Sequence, residues 1–329
     1  MAEGETMAGG GAAGALRGGA PRRRLLPNGM EIAYQSRAEV DFFYKDIFEK
    51  QIYLKHGVAL HDGDTVFDVG ANIGFFTLFA HRQARDLTVY AFEPAPPLFE
   101  ILSLNAEAHG VNARLFNCGV SAAPGSATLT FYPNSSGMTT FYAEQEAEKE
   151  VLRAIMENQL RQGVAGMERV MRHADDLLEE RFKSLSYECR LRTLSEVIRE
   201  ERVERIDFLK IDVQKSESDV LAGIDEADWP KIRQLVIEVH DIDDRLGQIH
   251  GLLRGRGYEV AVEQDDHYEN SILYNLFARR AGAADAGAAP RPSAPLGETS
   301  LTRIKDRAQK QGAALNRGRQ IIEQRKKGR

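Results

Sequence analysis

The sequence predicts an α/β fold in which a parallel, Rossmann-like sheet is covered by helices on both faces. Near-continuous apolar runs alternate along the chain with segments of helical periodicity, as in proteins built from βαβ units. Several of these runs end in a glycine or an acid, as strands of ligand-binding α/β sheets do. The hydrophobic content of 43% and the charged content of 28% are those of an ordinary globular protein.

The first fifty residues predict a leader followed by one helix. Residues 1–25 are rich in Gly and Ala and carry Arg22-Arg23-Arg24, but no apolar segment of a signal peptide follows. We therefore assign residues 1–25 to a disordered leader. Ser36-Arg37-Ala38-Glu39 has the pattern of a capping box, and the apolar spacing after it predicts a helix over 37–53.

A glycine turn at 66–74 is the most informative segment of the chain. It follows the first predicted strand, at 65–69, and the glycines Gly70 and Gly74 allow a sharp turn close to a ligand. Asp68 brings an acid to the same edge of the sheet. About 25 residues later the second predicted strand, at 87–92, is followed by Glu93, a distance that suits an acid binding a ribose. The pattern therefore predicts a nucleoside cofactor.

The details of the turn favour S-adenosylmethionine over other nucleoside cofactors. Asn72 stands where a dinucleotide-binding loop has its second glycine, and no Gly-Lys-Ser/Thr sequence of a phosphate-binding loop follows. A turn for an adenosine without phosphates fits better. We expect Asp68 to face the cofactor ammonium or a loop amide, and Glu93 to bind the ribose hydroxyls. The alternative is a strand-to-helix turn of the kind any α/β protein contains.

The rest of the chain predicts further strands and one helical insertion. The predicted strands cover 113–120, 126–132, 189–194, 206–213, 235–240, 258–264 and 272–280. Residues 141–183 interrupt this alternation with a charged segment of helical periodicity. A long insertion in a compact domain is often an active-site lid, and a surface pair of helices is the alternative.

Polar side chains gather at the ends of the predicted strands. Asp68, Glu93 and Asp212 each end or follow a strand, and Glu238 and His240 end another. Asn117 lies near the end of the third strand. Because polar groups in buried strands carry a desolvation cost, this many at one edge predict a functional site.

The charge distribution separates an acidic body from a basic tail. The chain has a net charge of −6, whereas residues 301–329 carry ten Lys or Arg and two acids. An acidic body argues against nucleic acid as the main partner. Residues 281–298 are rich in Ala, Gly and Pro and predict a linker. Residues 299–329 predict a basic helix that either docks to a protein or stays solvated.

The cysteines and the hydropathy pattern favour a cytoplasmic protein. Cys118 and Cys189, the two cysteines of the chain, are too few for a disulfide framework or a zinc set. Both lie in predicted strands, where a free cysteine usually acts as a small buried hydrophobe. The sequence has no apolar run of about 18 residues and so predicts no membrane span.

Four blocks of the sequence resemble, in this order, the FkbM-type methyltransferases. The blocks are Val66–Gly74, Phe92-Glu93-Pro94, Asn117–Ser121, and Leu209–Val213 with Glu217. That family uses S-adenosylmethionine on a seven-strand Rossmann-like sheet of the class I type, so the resemblance implies this fold and a methyltransferase domain over 26–280. Where the family commonly has Glu-Gly after the fourth strand, this chain has Gln214-Lys215. This variant, the insert and the tail most resemble members linked to polyketide and nonribosomal peptide assembly.

The resemblance also implies roles for individual residues. The positions that match cofactor-binding positions of the family are Asp68, Gly70, Asn72, Gly74, Glu93 and Asn117. Among them, Glu93 matches the ribose acid, and Asn117 lies near the place of the adenine. Asp212 matches a position beside the methionine part of the cofactor or the acceptor.

Methyl transfer to a hydroxyl needs a base and correct orientation of the acceptor towards the methyl donor. His240 is our candidate for the base because imidazole titrates near neutral pH. We expect Asp212 or Glu238 to orient it. In one alternative these three residues hold a divalent cation that lowers the pKa of an acceptor hydroxyl. In another, His240 is satisfied by a neighbouring backbone group. We assign no residue to a metal site.

The sequence therefore predicts an S-adenosylmethionine-dependent methyltransferase that methylates a hydroxyl of a small molecule or a carrier-bound natural-product intermediate. Two alternatives belong to other classes. One is a non-catalytic module that binds a nucleoside or a carrier protein, and the other is an NAD-linked oxidoreductase on a related sheet. The residues alone leave the acceptor open between a sugar, a polyketide and a peptide hydroxyl.

Overall fold

The structure is a computed structural model that describes residues 21–161, 163, 166–265 and 271–280. Residues 1–20 of the predicted leader, the linker at 281–298 and the basic tail at 299–329 lie outside the described residues. The disorder of the leader and the docking role of the tail stay predictions.

Twelve strands and nine α-helices are formed by the described residues. The strands are β1 (Arg22–Leu25), β2 (Glu31–Tyr34), β3 (Thr65–Val69), β4 (Thr88–Phe92), β5 (Ala113–Phe116), β6 (Gly119–Val120), β7 (Gly125–Phe131), β8 (Leu185–Arg192), β9 (Phe208–Ile211), β10 (Gln234–His240), β11 (Tyr258–Glu263) and β12 (Leu273–Arg280). The helices are α1 (Arg37–Phe43), α2 (Phe75–Gln83), α3 (Pro96–Ala108), α4 (Gln145–Arg161), α5 (Met167–Arg172), α6 (Ala174–Arg181), α7 (Leu194–Glu200), α8 (Glu217–Ala222) and α9 (Arg245–Gly255).

The main sheet has seven strands in the order β11-β12-β10-β9-β3-β4-β5. Strands β5, β4, β3, β9 and β10 run parallel, and β12 is antiparallel to both of its neighbours. The predicted α/β class and the seven-strand Rossmann-like sheet are thereby confirmed. The chain places β4 and β5 on one side of β3, and later β9 and β10 on the other. In such sheets this reversal opens a crevice at the carboxyl ends of the strands, where ligands bind.

Helices cover both faces of the main sheet because its strands are apolar on both sides. In β3, Val66 packs into one buried cluster, with side chains of α2 and α3. The neighbouring residue Phe67 points to the other face and packs into a second cluster, with side chains of α7, α8 and α9. Alternate side chains of a strand thus pack into two hydrophobic cores, one on each face of the sheet. The packing on both faces holds the ends of the strands in place.

A smaller sheet corrects the prediction of a single third strand over 113–120. Strand β5 ends at Phe116, and Gly119 and Val120 form β6, which pairs with β8 in a three-stranded sheet of order β6-β8-β7. Between them the Asn117 side-chain amide donates hydrogen bonds to the carbonyl oxygens of Glu93 and Pro94, at 2.8 and 3.1 Å. These bonds tie the chain to the end of β4 at the point where it leaves the main sheet.

The amino-terminal part of the described chain forms a β-hairpin whose first strand overlaps the end of the predicted leader. Strands β1 and β2 pair in antiparallel register, Arg22 opposite Tyr34. The turn between them uses Gly29 at φ 83° and a 2.8 Å hydrogen bond from the Leu26 amide to the Met30 carbonyl. The predicted disordered leader included Arg24, but the side chain of this residue forms an ion pair with Asp41. The leader boundary at residue 25 was therefore wrong.

The predicted helix at 37–53 is present but changes its winding. The Ser36 side chain accepts a hydrogen bond from the Glu39 amide at 3.5 Å, which is one half of the predicted capping box, whereas the Glu39 carboxylate accepts from the Gly137 amide at 3.1 Å. Helix α1 then continues into a π-helical segment at Tyr44–Glu49. One added residue per turn brings Phe43 and Phe48 onto Phe75 at the start of α2.

The insert at 141–183 consists of helices α4, α5 and α6 in its described residues. It connects β7 to β8, whose facing ends pair Phe131 with Leu185. None of the helices that the structure describes has both the length and the apolar character needed to cross a membrane.

Candidate active site

A cavity of about 1360 Å³ lies between the carboxyl edge of the main sheet and the helical insert. From the sheet, it is lined by Gly70, Asn72, Glu93, Lys210, Asp212, Glu238 and His240. From the insert, it is lined by the apolar side chains of Leu152, Met156, Met167, Val170, Leu177 and Leu178. The structure thus joins most of the predicted strand-end residues in one site with a polar floor and a largely apolar roof, to which Glu144, Glu148, Glu180 and Arg181 of the insert also contribute.

The glycines of the turn are required by close contacts on two sides. Gly70 has a φ of 81°, and a Cβ atom there would lie 1.8 Å from the Asp212 carbonyl oxygen. Gly74 has a φ of 91°, and a Cβ atom there would lie 2.8 Å from Leu102 of α3. Gly70 therefore lets two loops meet beside the cavity, whereas Gly74 serves helix packing and does not line the cavity.

The amides of the turn are all engaged inside the protein. Gly70 and Ala71 donate to the Phe92 carbonyl oxygen at 3.0 and 2.9 Å, and the Asn72 amide donates to Glu93 at 2.8 Å. The Ile73 amide donates to the side-chain oxygen of Asn72. A pyrophosphate-binding turn needs these donors for its ligand. This turn thus suits a nucleoside cofactor without phosphate groups.

Glu93 is the buried acid of the cofactor half of the site. Its two carboxylate oxygens accept hydrogen bonds from the amides of Asn72 and Ala95, each at 2.8 Å. Burial outweighs these bonds and raises the pKa of Glu93 to about 7. The carboxylate has lone pairs left for ribose hydroxyls, so its position fits the predicted role.

Asp68 lies beneath the turn and does not line the cavity, which corrects the prediction that it faces the cofactor. It is fully buried and accepts a 2.7 Å hydrogen bond from the Thr77 hydroxyl. The Lys210 ammonium lies 3.1 Å from its other oxygen and donates to the Gly70 carbonyl at 2.7 Å. Asp68 therefore acts on the turn through Lys210.

Asn117 is exposed and also stands outside the cavity, contrary to its predicted place near the adenine. Its side chain is occupied by the two carbonyl oxygens at the end of β4. The next residues, Cys118, Gly119 and Val120, line the cavity instead. The switch of β6 into the second sheet explains the difference, because it turns these three residues toward the cofactor half.

Asp212 and Glu238 form a carboxyl pair on the cavity floor. The Gln214 side-chain amide lies 3.3 Å from an oxygen of each, and the Tyr53 hydroxyl donates to Asp212 at 3.0 Å. Burial and the charge of Asp212 raise the pKa of the Glu238 carboxyl well above its usual range. Burial, again with Asp212, raises the pKa of the Tyr53 hydroxyl well above its ordinary value. Tyr53 and Gln214 are partners that the sequence did not reveal.

His240 lines the cavity, but its partner is neither Asp212 nor Glu238. Its Nδ1 atom lies 2.9 Å from Oε1 of Glu217, and the Arg245 guanidinium lies 2.7 Å from the other oxygen of Glu217. The prediction that Asp212 or Glu238 orients the imidazole was therefore wrong. Glu217 stood in the family motif, yet only the packing of α8 against β10 could reveal its contact with His240.

Lys215 connects the strand end to the insert. It has a φ of 80°, at the position where the family commonly has glycine. Its ammonium contacts the Glu148 carboxylate of α4 and donates to the Tyr142 carbonyl at 3.2 Å. The Thr140 hydroxyl donates to the neighbouring Gln214 carbonyl at 2.6 Å. The insert is thus held over the cavity as its roof.

Within the described residues, no three or more His, Cys, Asp or Glu side chains are grouped so that they could hold a metal ion. Asp212 and Glu238 share an amide donor, and His240 is bonded to Glu217. Gly70, Asn72 and Glu93, by contrast, fit the nucleoside of S-adenosylmethionine.

The sheet order and the cradle at the ends of β3 and β4 define a methyltransferase of the seven-strand Rossmann-like class that depends on S-adenosylmethionine. The family model for the methyltransferase FkbM domain matches residues 68–260. The chain therefore belongs to the FkbM methyltransferase family.

Three relatives illustrate this membership. The chain is 44% identical to the 31-O-demethyl-FK506 methyltransferase FkbM of Streptomyces tacrolimicus, over 78% of this chain and 95% of the relative. It is 38% identical to part of the AMB antimetabolite synthetase AmbE of Pseudomonas aeruginosa, over 83% of this chain and 13% of the synthetase. It is 33% identical to the methyltransferase sdnD of Sordaria araneosa, over 70% of this chain and 86% of the relative. Family membership excludes the NAD-linked oxidoreductase, and the chain is an enzyme rather than a binding module.

Proposed function

We propose that the enzyme transfers a methyl group to a hydroxyl of a bulky, largely apolar natural product or of a carrier-bound intermediate. The observation that carries this proposal is the position of His240 on a polar floor beneath the apolar roof of the insert. The polar floor suits the reacting hydroxyl and the roof suits an apolar acceptor body.

The size of the cavity supports binding of two ligands at once. Cavities that hold one small molecule usually measure about 300–1,000 Å³, and this one measures about 1360 Å³. The cofactor half lies at Gly70 and Glu93. The space under Met156, Met167 and Leu178 lies on the insert side, where the lining is mainly apolar, with charged groups at Glu144, Glu148, Glu180 and Arg181.

The names of the relatives support the same acceptor class. One relative is a methyltransferase of 31-O-demethyl-FK506. Another is an antimetabolite synthetase, 13% of which matches this chain. A domain of this kind is thus part of a large synthetase in that protein, which favours an acceptor that is carried by an assembly enzyme.

The residues of the cavity floor supply a base and the polar groups around it. Bound S-adenosylmethionine supplies an electrophilic methyl group, and the electrons of its carbon–sulfur bond stay on sulfur when the acceptor oxygen bonds to the methyl carbon. His240 accepts the hydroxyl proton on Nε2. The roof excludes water from the reacting atoms.

The test is methylation of 31-O-demethyl-FK506 and of a panel of bulky alcohols and sugars, followed by mass spectrometry. We expect one added methyl group on a bulky apolar alcohol and none on free sugars. His240→Ala should lower kcat by about 100-fold or more and leave the affinity for S-adenosylhomocysteine unchanged.

His61→Ala is the matched control, because His61 is exposed and outside the cavity. Methylation of sugars alone would overturn the proposed acceptor class. Full activity of His240→Ala would remove His240 as the base and leave the acceptor class standing.

A further inference from the structure

Glu217 is a fully buried carboxylate that stands behind the cavity wall and does not line the cavity. Its Oε1 atom accepts from the Lys215 amide at 2.8 Å and lies 2.9 Å from Nδ1 of His240. Its Oε2 atom accepts from Arg245 at 2.7 Å. A buried carboxylate without partners is strongly unfavourable, so this set of donors explains how Glu217 is tolerated there.

The charges around Glu217 keep it ionised. Burial alone would raise the pKa of this carboxyl, but the hydrogen bond to His240, the charge that His240 carries when protonated, the charge of Arg245 and the Lys215 amide outweigh burial and lower it. An ionised carboxylate accepts hydrogen bonds and cannot donate them. In the contact between Glu217 and His240, Nδ1 is therefore the donor, and the lone pair of the neutral imidazole is on Nε2.

We propose that Glu217 is a positioning residue for methyl transfer, holding His240 in the tautomer whose Nε2 lone pair accepts the proton of the acceptor hydroxyl. This inference rests on the proposed function, in which His240 is the base. Glu217 does not line the cavity, and its contact with the proposed base is the one between its Oε1 atom and Nδ1 of His240. The arrangement also stabilises the imidazolium that forms when His240 takes the proton.

Arg245 has the opposite electrostatic effect on His240. It lies on the far side of Glu217, 2.7 Å from Oε2, and offsets part of the carboxylate charge. Other ionisable groups that line the cavity with His240 are Glu238, two residues earlier on its own strand, Asp212 beside Glu238, and the acids that follow β10, which are Asp241, Asp243 and Asp244. On the neighbouring strand β12, the residue opposite His240 is Leu273, which is apolar.

The direct test is nitrogen NMR of the imidazole ring in the full chain, which needs no acceptor. The His240 signals are assigned by their loss in His240→Ala, among the 8 histidines of the chain. We expect the wild type to show a proton on Nδ1 and Glu217→Gln to show a mixture of both tautomers. The pH midpoint of these signals should be lower in Glu217→Gln and higher in Arg245→Met than in the wild type, because one variant removes a negative charge and the other a positive one.

A merely structural role predicts a different result. Loss of packing alone would move both midpoints in the same direction or not at all, and that outcome would overturn the inference. Glu226→Gln is the matched control, since it removes one carboxylate from an exposed pair with Arg256. Glu217→Asp keeps the charge and should keep the wild-type tautomer, which provides a readout if Glu217→Gln does not fold.

Kinetics with an accepted alcohol then separate this inference from the proposed function. Glu217→Gln should lower kcat at least about tenfold, move the acidic limb of the pH profile to lower pH, and leave the KM for the cofactor unchanged. If His240→Ala loses activity and Glu217→Gln keeps it, the positioning role alone is wrong. If His240→Ala is fully active, the base assignment is wrong and the positioning role falls with it.

Discussion

Asp68 and Lys210 stand opposite each other in the parallel register of β3 and β9, and their side chains form a buried ion pair at 3.1 Å. Lys210 also donates to the Gly70 carbonyl. The pair therefore supports the cofactor turn from below, although only Lys210 lines the cavity.

Breaking this pair should both destabilise the protein and weaken cofactor binding. Lys210→Met leaves the Asp68 carboxylate buried with Thr77 as its remaining hydrogen-bond partner, a situation that costs about 3–5 kcal/mol. We expect a loss of that size in urea unfolding and weaker binding of S-adenosylhomocysteine in calorimetry. Asp225→Asn, which breaks the exposed pair with Arg199, should change neither quantity. Equal behaviour of the two variants would contradict the supporting role of Lys210.

Gly70 should tolerate no side chain, whereas Gly63, which has a similar backbone conformation, should tolerate one. In Gly70→Ala the new Cβ atom would overlap the Asp212 carbonyl, so the turn must move. We expect calorimetry to detect no binding of S-adenosylhomocysteine by this variant. Gly63 has a φ of 80° and open space around its Cα atom. Gly63→Ala therefore carries only the backbone cost of about 1–2 kcal/mol and should bind the cofactor normally.

Glu93 should make stability and cofactor affinity depend on pH near neutrality. Its pKa of about 7 is above its usual value, so the folded state binds more protons than the unfolded state between about pH 4.5 and pH 7. The free energy of unfolding should therefore fall across this range as the pH rises, by up to about 1.4 kcal/mol per pH unit. Glu93→Gln should lack this component, measured as the difference between the two denaturation series.

The same titration should affect binding of S-adenosylhomocysteine. A carboxylate accepts from two ribose hydroxyls, whereas the protonated acid has a donor in place of one acceptor. We expect the affinity to rise as the pH passes through about 7 and then level off. A wild-type profile as flat as that of Glu93→Gln would show that the ribose binds elsewhere.

Lys215 allows the backbone cost and the contact with the insert to be measured separately. Lys215→Met removes the contact with Glu148 and keeps a side chain at a φ of 80°. Lys215→Gly removes both the contact and the backbone cost. The glycine variant should therefore be more stable than the methionine variant by about 1–2 kcal/mol.

In both Lys215 variants the insert should be released from the cavity floor. Limited proteolysis should then cut the insert faster than in the wild type, and the KM for the acceptor should rise. Lys231→Met is a suitable control, because Lys231 pairs with Asp228 away from the cavity. Insert cleavage at the wild-type rate would contradict the role of Lys215.

The parts of the site that the sequence predicted are those fixed by local patterns. The glycine turn and the acid of Glu93 follow from strand, turn and spacing, because the hydrogen bonds of the turn amides and of the Glu93 carboxylate lie at the ends of the adjacent strands β3 and β4. The pairing of Asp68 with Lys210 was also within reach, because a lysine inside an apolar strand requires a nearby carboxylate. A lysine in a strand can also extend to the surface, so its partner became certain only with the register of β3 and β9.

The remaining errors concern contacts set by packing over long distances in the chain. His240 meets Glu217 because α8 packs against the end of β10, and no periodicity encodes that approach. Likewise, β6 leaves the main sheet because β8, about 70 residues later, offers it a partner. Asn117 was misplaced for this reason, since a continuous strand would have turned its side chain differently.

The two ends of the insert lie side by side, because β7 and β8 pair antiparallel in the smaller sheet. Exchange of residues 141–183 between relatives would therefore alter the roof while β3, β4, β9 and β10 keep their places. On the proposed function, we expect acceptor choice to follow the exchanged roof and binding of the methyl donor to stay with the sheet. Replacing residues 141–183 and retaining the main sheet should therefore change which acceptors are methylated.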